Sequence, residues 1–580
     1  MFKLIKYLKG YIKESIIGPL FKFLEACFEL IVPLVMASII DIGIANNDTS
    51  FILKRGAFMV LLGFLGLVCS LTAQYFAAKA ALGFGTALRN EMFSHIHSLS
   101  YSDIDKIGTS TLITRITSDI NHAESGVNLI LRLFLRSPFI VIGAFVMAFY
   151  LHAKLTLIFL AVTLLISAVI YVIMTKSIPL YKGIQSKLDT VSLITRENLT
   201  GVRVIRAFSR QKDEIERFED TTCELTKNQI RVGNISASLN PLTYAILNLG
   251  IVAVLRFGGI AVDIGDITQG ELIALINYMS QILLALIALA NLIVTISRAS
   301  ASAIRINEVF SLKPSMTEKS VSDVKEASSD PDTPKVEFRN VSFSYNGTEA
   351  SLSNVSFQAR KGETVGIIGG TGSGKTTLVN LIPRFYDASE GEVLIDGKNV
   401  TEYPFSELRK KVSVVPQKAV LFRGTVRENM KWGKRDATDE EIYKALEIAQ
   451  AKDFVNDLQG GLDAMIMQGG KNLSGGQRQR LTIARALTVQ PEILILDDSA
   501  SALDFATDAR LRRALSTRTK GMTVFIVSQR ASAIKNADKI LVLDNGKPVG
   551  IGRHEELLRS CPVYREICLS QLSEDEVSKA

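Results

Sequence analysis

Long apolar runs fill the first part of the chain, and alternating strand and helix patterns fill the rest. A helix needs about 20 mostly apolar residues to cross a bilayer. Six segments meet this requirement: 16–43, 56–80, 128–151, 154–176, 241–264 and 270–298. Two connections between them, 81–127 and 177–240, are long, polar and helix-patterned. Residues 1–310 are therefore predicted to form an all-α membrane domain with six spans and two long helical loops.

Basic residues indicate the side of the membrane on which the long loops lie. Cytoplasmic loops carry an excess of Lys and Arg. The basic residues before the first span and in the long loops are Lys3, Lys6, Lys9, Lys13, Arg89, Lys106, Arg115, Arg203 and Arg206. Lys54 and Arg55 are exceptions on the opposite side. Both termini and the long loops are predicted to be cytoplasmic, with 105–120 and 197–208 as candidate contact points for a soluble domain.

Ionisable residues within the spans are candidates for a substrate site, because they are costly in lipid and usually face a bundle interior or a water-filled cavity. Glu25 and Glu29 are four residues apart and therefore share a helix face. One interpretation is a site for a cationic substrate. The alternative is that Arg132, Arg136 or water satisfies both carboxylates. The sequence leaves both interpretations open.

A glycine-rich motif marks the second part of the chain as a phosphate-binding domain. The segment ETVGIIGGTGSGKTTLVNLI reads as a strand, a loop and a helix, and its central part has the G-x-x-x-x-G-K-T pattern. The residues predicted to bind phosphate are Gly369, Gly370, Thr371, Gly372, Ser373, Gly374, Lys375, Thr376 and Thr377. Glycines allow backbone N–H groups to approach a phosphate, and the helix start adds a positive dipole end. The alternative, a glycine-rich turn without a ligand, does not explain the flanking strand and helix.

Two acids follow a buried strand more than 100 residues later. Ile493 to Leu496 are apolar, and Asp497 and Asp498 come directly after them. An acid at the carboxyl end of a strand beside a phosphate loop is well placed to hold Mg²⁺. The alternative is a strand capped by surface acids. Residues 335–570 are thus predicted to be an α/β P-loop nucleotide-binding domain. It follows a solvated linker at 311–334 and precedes a disordered tail at 571–580.

Composition excludes several other classes of protein. The chain is 47% hydrophobic with a mean hydropathy of +0.24, which does not suit a soluble protein of 580 residues. The net charge is +8, but the basic residues do not form a stripe with interleaved aromatics, so no nucleic-acid partner is expected. The five cysteines have no CxxC spacing, which argues against a zinc site and against a disulfide framework.

The segment NLSGGQRQR at 472–480 resembles the signature sequence of the ATP-binding cassette family. Tyr345, Gln417 in VVPQ and SALD at 501–504 are similar to further motifs of that family, and six spans before one cassette resemble its exporter half-transporters. The resemblance implies that two cassettes enclose two ATP molecules, with Tyr345 stacking on adenine. It implies Mg²⁺ ligands at Thr376, Gln417 and Asp497. The residues implied to contact the nucleotide of the opposite subunit are Leu473, Ser474, Gly475, Gly476, Gln477 and Asp504.

Two positions depart from the family pattern. The residue after the strand aspartate is normally Glu but is Asp498 here, and the family's switch His is Gln529. Asp is one methylene shorter, and a misplacement of about 1 Å can cost roughly a hundredfold in rate. Gln cannot carry a positive charge or shuttle a proton. The combination resembles the degenerate subunit of heterodimeric bacterial exporters, whose partner would carry Glu and His. A homodimer with weak ATPase is the alternative.

The resulting expectation is an ATP-hydrolysing exporter of small amphipathic or drug-like molecules in the bacterial plasma membrane. Lipid or peptide export, and an ATP-gated regulatory role, remain alternatives. A soluble cassette protein has no use for six spans, and an importer normally carries its spans on a separate chain.

Overall fold

A computed structural model describes residues 2–318, 332–345, 347, 349–519 and 521–571. Two units are distinguished by their internal contacts. The first comprises Met1–His97 with Thr109–Leu312, and the second comprises Ser98–Gly108 with Lys313–Ala580. Most of the predicted linker, residues 319–331, and the predicted tail beyond 571 lie outside the described residues.

The first unit is helical throughout. It begins with a 3₁₀ segment, Phe2–Tyr11, and has π-helical turns at Ile39–Ile44, Arg115–Asp119 and Ile130–Phe134. Its helices are α1 (Ile12–Ser38), α2 (Thr49–Ser98), α4 (Thr109–Thr114), α5 (Ile120–Leu129), α6 (Arg136–Leu151), α7 (Ala153–Thr200), α8 (Val202–Ala207), α9 (Gln211–Ala237), α10 (Leu239–Ile264) and α11 (Gln269–Ser311). Helix α3 (Tyr101–Ile107) belongs to the second unit.

Among the described residues, six helical stretches are long and apolar enough to cross a membrane, which confirms the predicted number of spans. They are Lys3–Ile44, Thr49–Ser98, Thr109–Leu151, Ala153–Thr200, Gln211–Ile264 and Gln269–Ser311. All of them extend past the predicted apolar cores. The 50 residues of α2 measure about 75 Å at 1.5 Å per residue, whereas the hydrocarbon core is about 30 Å thick. The long polar loops are therefore mainly continuations of the spanning helices.

Small residues allow close packing inside the first unit. Ala73, Ala77, Ala80 and Ala81 of α2 are at most 1% exposed. A Cβ added at Gly18 would lie 3.3 Å from the backbone nitrogen of Ala77. Small side chains let helix backbones approach each other, which is how helices associate where lipid removes the hydrophobic driving force.

The second unit contains two main sheets. Their strands are β1 (Val336–Phe343), β2 (Leu352–Ala359), β3 (Thr364–Ile368), β4 (Glu390–Ile395), β5 (Lys398–Asn399), β6 (Val412–Val415), β9 (Ile493–Asp497), β10 (Thr523–Val527), β11 (Lys539–Asp544) and β12 (Lys547–Gly552). One sheet has the order β2-β1-β4-β5 and is antiparallel. The other has the order β12-β11-β3-β10-β9-β6, with parallel pairing from β11 to β6. A short pair is formed by β7 (Gly424–Thr425) and β8 (Met465–Ile466).

Helices surround these sheets. They are α12 (Lys375–Leu381), α13 (Phe405–Lys411), α14 (Val426–Lys431), α15 (Asp439–Ile448), α16 (Lys452–Asp457), α17 (Gly475–Thr488), α18 (Phe505–Arg518), α19 (Ala531–Ile534), α20 (His554–Ser560) and α21 (Pro562–Leu569). The all-α membrane domain followed by an α/β nucleotide-binding domain is thus the architecture that the sequence predicted.

The parallel core of the larger sheet brings three loops together. Val527 at the end of β10 pairs with Asp497 of β9 on one side and with Ile367 of β3 on the other. Since carboxyl ends of parallel strands meet at one edge of a sheet, the loops that follow these three strands converge there.

The short helix α3 packs within the second unit. Tyr386 donates a hydrogen bond from its hydroxyl to Asp105 Oδ2 at 2.7 Å, and the Tyr101 ring lies 4.9 Å from the Phe385 ring between centroids. The backbone N–H of Ser315 donates to Asp103 Oδ2 at 3.0 Å. The start of the predicted contact segment 105–120 therefore contacts the nucleotide-binding unit, while its remainder from Thr109 onward groups with the first unit.

Candidate functional site

The predicted phosphate loop connects β3 to α12 and has glycines where side chains would not fit. A Cβ at Gly369 would lie 2.1 Å from the carbonyl oxygen of Leu543. Gly374 has φ of 90°, and a Cβ there would lie 2.6 Å from the carbonyl oxygen of Ser351. Other residues rarely adopt this left-handed conformation. The loop therefore curls tightly around the start of α12, as phosphate binding by backbone N–H groups requires.

Lys375 is folded into this loop. Its Nζ donates to the carbonyl oxygens of Gly369 at 3.0 Å and Gly370 at 2.6 Å, and lies 3.3 Å from Ser373 Oγ. The residue is 9% exposed, and burial lowers the pKa of its amine against the opposing charges of Asp498 and Asp497. The loop thus concentrates a positive charge where the phosphate groups of a nucleotide would be bound.

Oxygen ligands suitable for Mg²⁺ lie beside Lys375. The Thr376 hydroxyl donates to Asp497 Oδ1 at 3.0 Å. Burial, together with the charge of Asp498, raises the pKa of Asp497. Mg²⁺ prefers a few hard oxygen ligands completed by water and substrate phosphates, and Thr376, Asp497 and the Gln417 amide are such a set.

Asp498, the position of the expected catalytic Glu, lies in the same place. Its φ is 43°, and its backbone N–H donates to the carbonyl oxygen of Val527 at 3.0 Å. Gln417 Nε2 donates to Asp498 Oδ2 at 3.3 Å, and burial raises the pKa of the Asp498 carboxyl. The side chain is therefore tied to Gln417 at the carboxyl end of β9.

Gln529, the second departure from the family pattern, follows β10 and is held by a residue that the sequence did not indicate. Gln571 donates from Nε2 to the Gln529 carbonyl oxygen at 2.7 Å and accepts from the backbone N–H of Ala531 at 2.9 Å. Gln571 is separated from this loop by about 40 residues and belongs to no motif. Nothing in the sequence pattern could have revealed its role in fixing the loop that carries Gln529.

Most of the predicted nucleotide-site residues line one cavity of about 760 Å³, but Gly369, Gly370 and Ser373 of the phosphate loop are not in its lining. The predicted residues in its lining are Tyr345, Thr371, Gly372, Gly374, Lys375, Thr376, Thr377, Gln417, Asp497, Asp498 and Gln529. Its lining also includes Glu349, Ser351, Asn545 and Gly546, which the sequence did not indicate. Asn545 and Gly546 read only as a turn between two strands, which is common and carries no functional signal. The Tyr345 hydroxyl lies 3.2 Å from Thr377 Oγ1, so its ring stands at one side of this cavity.

The predicted signature residues do not line this cavity. Ser474 begins α17, where its hydroxyl accepts from the backbone N–H of Gln477 at 3.2 Å and its own backbone N–H donates to Gln477 Oε1 at 2.8 Å. Asp504 begins α18 in the same way by accepting from Thr507. Ser474, Gly475 and Asp504 are exposed, while Leu473 is buried. The N-terminus of α17 therefore presents hydroxyl and N–H groups to the surface.

The two acids of the first span are paired within the membrane unit. Arg136 Nη2 lies 2.7 Å from Glu29 Oε2, and Arg136 Nε lies 3.8 Å from Glu25 Oε1. Lys22 Nζ lies 2.5 Å from Glu25 Oε2. The structure thus shows the internal pairing that the sequence left open, with Lys22 as a partner that the sequence did not single out.

Two family models match the chain. Residues 15–286 match the ABC transporter transmembrane region, and residues 352–501 match the ABC transporter domain. The second match contains the phosphate loop, the signature segment, and Asp497 and Asp498 at the end of β9.

Curated relatives match along most of the chain. An uncharacterized ABC transporter ATP-binding protein of Mycobacterium tuberculosis is 37% identical over 93% of both chains. An ATP-dependent lipid A-core flippase of Desulfotalea psychrophila is 36% identical over 81% of this chain and 82% of its own. A probable multidrug resistance ABC transporter ATP-binding/permease protein of Bacillus subtilis is 33% identical over 89% of both.

A solved structure has the same fold. It is a bacterial Atm1-family ABC exporter with ATP bound, and the two structures align with a TM-score of 0.81 over 98% of this chain and 99% of that one. The sequence identity is 23%.

Proposed function

The chain belongs to the ABC transporter family as an exporter half-transporter, and from this premise we propose that it is the degenerate half of a heterodimeric exporter. In this proposal it moves small amphipathic molecules across a bacterial plasma membrane, with both termini and the cassette in the cytoplasm. Lys and Arg in the predicted cytoplasmic loops support this orientation.

The observation that carries the proposal is the contrast between two sets of residues in one cassette. The cavity at the strand ends is lined by much of an intact phosphate loop but has Asp498 and Gln529 at the positions of Glu and His. The signature residues are intact and lie outside that cavity, and Ser474 and Gly475 among them are exposed. The signature residues of this chain would therefore complete the ATP site of a partner. The ATP bound at this chain's own phosphate loop would be hydrolysed slowly.

Within the cavity, each side chain has a distinct role. The loop N–H groups and Lys375 would bind the phosphates, and Tyr345 would pack against the base. Thr376, Gln417 and Asp497 would hold Mg²⁺, which neutralises developing charge during phosphoryl transfer. Asp498 would have to orient the attacking water, but its shorter side chain is already bonded to Gln417.

Closure of the cassettes would be passed to the spans through the cytoplasmic helical extensions. Helix α3, which packs against Phe385 and Tyr386, is the contact that supports this route. ATP would drive transport only if the two cavity states differ in their affinity for the substrate.

The relatives support the choice of substrate class in general terms. One is named as a lipid A-core flippase and one as a probable multidrug resistance transporter. Both names refer to amphipathic molecules or drugs. We therefore propose an amphipathic substrate for this chain.

The proposal is tested by placing the family's Glu and His at positions 498 and 529. The full-length chain is purified alone in nanodiscs, and Mg²⁺-dependent ATP hydrolysis is compared with that of the Asp498→Glu, Gln529→His double variant. We expect slow hydrolysis by the original chain and an increase of about 10- to 100-fold in the double variant, because positioning dominates the rate. The matched control makes the same changes at exposed positions, Asp436→Glu and Gln358→His.

Rapid hydrolysis by the original chain alone, at the rate of the double variant, would contradict the degenerate assignment and favour a homodimer. ATP-dependent movement of an amphipathic dye into vesicles distinguishes export from an ATP-gated regulatory role. A regulatory protein would show ligand-dependent conductance without this movement.

A further inference from the structure

Five charged residues form a cluster inside the membrane unit. This intramembrane charge cluster consists of Lys22, Glu25 and Glu29 of α1, Arg132 of the π-helical turn Ile130–Phe134, and Arg136 of α6. The turn and α6 pack against α1 and α11. Ala26, Ile140 and Ala285 form an apolar core at the junction of these helices. The cluster therefore lies among helices rather than on an isolated span.

Both carboxylates of the cluster are already neutralised. Glu25 pairs with Lys22 at 2.5 Å, and Glu29 pairs with Arg136 at 2.7 Å. A cationic substrate would have to displace these partners, and Lys22, whose side chain is 6% exposed, would be left buried without a counter-charge. Breaking a buried ion pair in this way is strongly unfavourable. The geometry therefore disfavours the cationic ligand that the sequence suggested for Glu25 and Glu29.

Arg132 is the cation of the cluster that has no carboxylate partner in the part of the chain that the structure describes. It precedes Arg136 by four residues, about one helical turn, and among the described residues no carboxylate lies within 4.0 Å of it. Its Nε is buried without a hydrogen-bond partner. The cluster holds three cations against two carboxylates and so carries a net positive charge. An unpaired charge within a membrane segment is costly and usually serves a function.

The local backbone supports a binding role for Arg132. Residues Ile130–Phe134 form a single π-helical turn, and such turns occur frequently at functional sites. The neighbouring side chains of Phe134, Leu135 and Phe139 are 42–48% exposed. A guanidinium beside exposed apolar side chains is complementary to a molecule with an anionic head and an apolar tail.

The position of Arg132 along the membrane-spanning helix also suits the binding of a lipid-like headgroup. It precedes the end of α6 at Leu151 by 19 residues, or about 28 Å at 1.5 Å per residue. The hydrocarbon core is about 30 Å thick. Arg132 therefore lies just inside the edge of the hydrocarbon core opposite to Leu151, within reach of the headgroups of one leaflet.

We propose that the intramembrane charge cluster binds the anionic headgroup, a phosphate or carboxylate, of an amphipathic substrate through Arg132. This inference rests on the proposed export function and specifies its substrate class. Arg136 remains paired with Glu29 and holds the arginine-bearing helix against α1. The exposed apolar residues of α6 contact the substrate tail.

Binding to the full-length chain in phosphatidylcholine nanodiscs tests the inference. The probes are dodecyl phosphate, dodecylphosphocholine and dodecyltrimethylammonium, which share one tail and differ in headgroup charge, together with inorganic phosphate. Each competes with a fluorescent alkyl phosphate, and empty nanodiscs give the background. We expect dodecyl phosphate to bind most tightly, and inorganic phosphate to compete poorly because it lacks the tail.

Variants of Arg132 identify the group responsible. Arg132→Gln is expected to weaken dodecyl phosphate binding about tenfold, since a hydrogen bond to a charged group is lost. Dodecylphosphocholine binding should change by less than about twofold, and Arg132→Lys should retain most of the affinity. Arg55→Gln, which removes an exposed arginine just outside the apolar core of another span, is the matched control. Thermal unfolding of each variant verifies that it is folded.

Tighter binding of the cationic probe, or equal losses for all probes in Arg132→Gln, would overturn the inference and leave Arg132 as a membrane anchor. Equal competition by inorganic phosphate would overturn the amphipathic substrate. ATP-driven movement of the three probes in vesicles is measured separately with the candidate partner present. If no probe moves although dodecyl phosphate binds through Arg132, the export proposal fails and the anion site stands. If probes move independently of Arg132, the export proposal stands and the anion site fails.

Discussion

The phosphate loop and the signature segment of the cassette differ in how their side chains are satisfied. At the phosphate loop, Lys375 and Thr376 are held inside a cavity by hydrogen bonds to the loop and to Asp497. At the signature segment, Ser474 and Gln477 satisfy each other at the exposed N-terminus of α17. The loop lines a cavity within this chain, whereas the signature segment begins at the surface and, under the proposed function, forms a binding site only together with another molecule.

This difference implies that substitutions on the two faces should have separable effects. Changes at the loop should affect binding of nucleotide to this chain. Changes at the signature segment should affect turnover at a loop that faces it, without affecting binding to this chain's own loop.

The largest effect is expected from Lys375→Ala. Removing the buried amine takes away charge-assisted hydrogen bonds to phosphate, so ATP binding to the full-length chain should weaken about 100-fold. Equilibrium binding of a fluorescent ATP analogue with Mg²⁺ measures this change. Lys361→Ala removes an exposed lysine from the same unit and should have no effect. An affinity within threefold of the original would contradict the assignment of Lys375.

A smaller effect is expected from Ser474→Asp. Asp is as good a helix cap as Ser, so the fold should be retained while a negative charge repels the phosphate opposite. In the Asp498→Glu, Gln529→His background, where each restored loop would face a signature segment of this chain, ATP hydrolysis should fall on the order of tenfold to a hundredfold. Binding of the ATP analogue to the loop should stay within about twofold.

Ser474→Thr, which keeps a hydroxyl cap, is the matched control for this experiment and should retain most of the hydrolysis. If Ser474→Asp leaves turnover unchanged, the signature surface does not complete a nucleotide site.

The smallest effect concerns stability. Burial raises the pKa of Asp498 above its ordinary value of 3.8. The folded chain therefore binds this proton more tightly than the unfolded chain, and stability falls as pH rises from the ordinary value through the raised one. Asp498→Asn removes this cost and the repulsion with Asp497, and Asn tolerates the positive φ. The nucleotide-free cassette should melt about 2 °C higher at neutral pH.

The fluorescence of Trp432, the single tryptophan of the chain, reports this transition because it lies in the cassette. Asp436→Asn, at an exposed carboxylate, is the control. The increase should shrink at acidic pH, where the Asp498 carboxyl is protonated in the original chain. An equal increase at both pH values would mean that the charge is not the cause.

The sequence predicted those features that follow from periodicity and from motif spacing. Apolar runs of sufficient length predicted the six spans, and strands followed by Gly369 or Asp497 predicted the convergence at the sheet edge. These signals are local, and a general rule of parallel sheets links them.

The remaining features depend on contacts between distant residues. Lys22 pairs with Glu25 on the same helix, but its significance appears only once Arg136 is seen to satisfy Glu29. The hydrogen bonds of Gln571 to the Gln529 loop join segments that no pattern connects. Such pairings are set by packing, and a single sequence shows no pattern from which they can be inferred.

Helix α3 has a practical consequence for anyone dividing this protein into fragments. Phe385 and Tyr386 are covered in part by Tyr101 and Asp105, which precede the start of the cassette by more than 200 residues. A fragment that begins at the linker would leave these aromatic rings facing water and would be prone to self-association. The smallest fragment that retains these contacts therefore combines two separate segments of the chain, 98–108 and the cassette. Adding 98–108 as a separate peptide, or fusing it to the cassette fragment, would cover the two aromatic rings again.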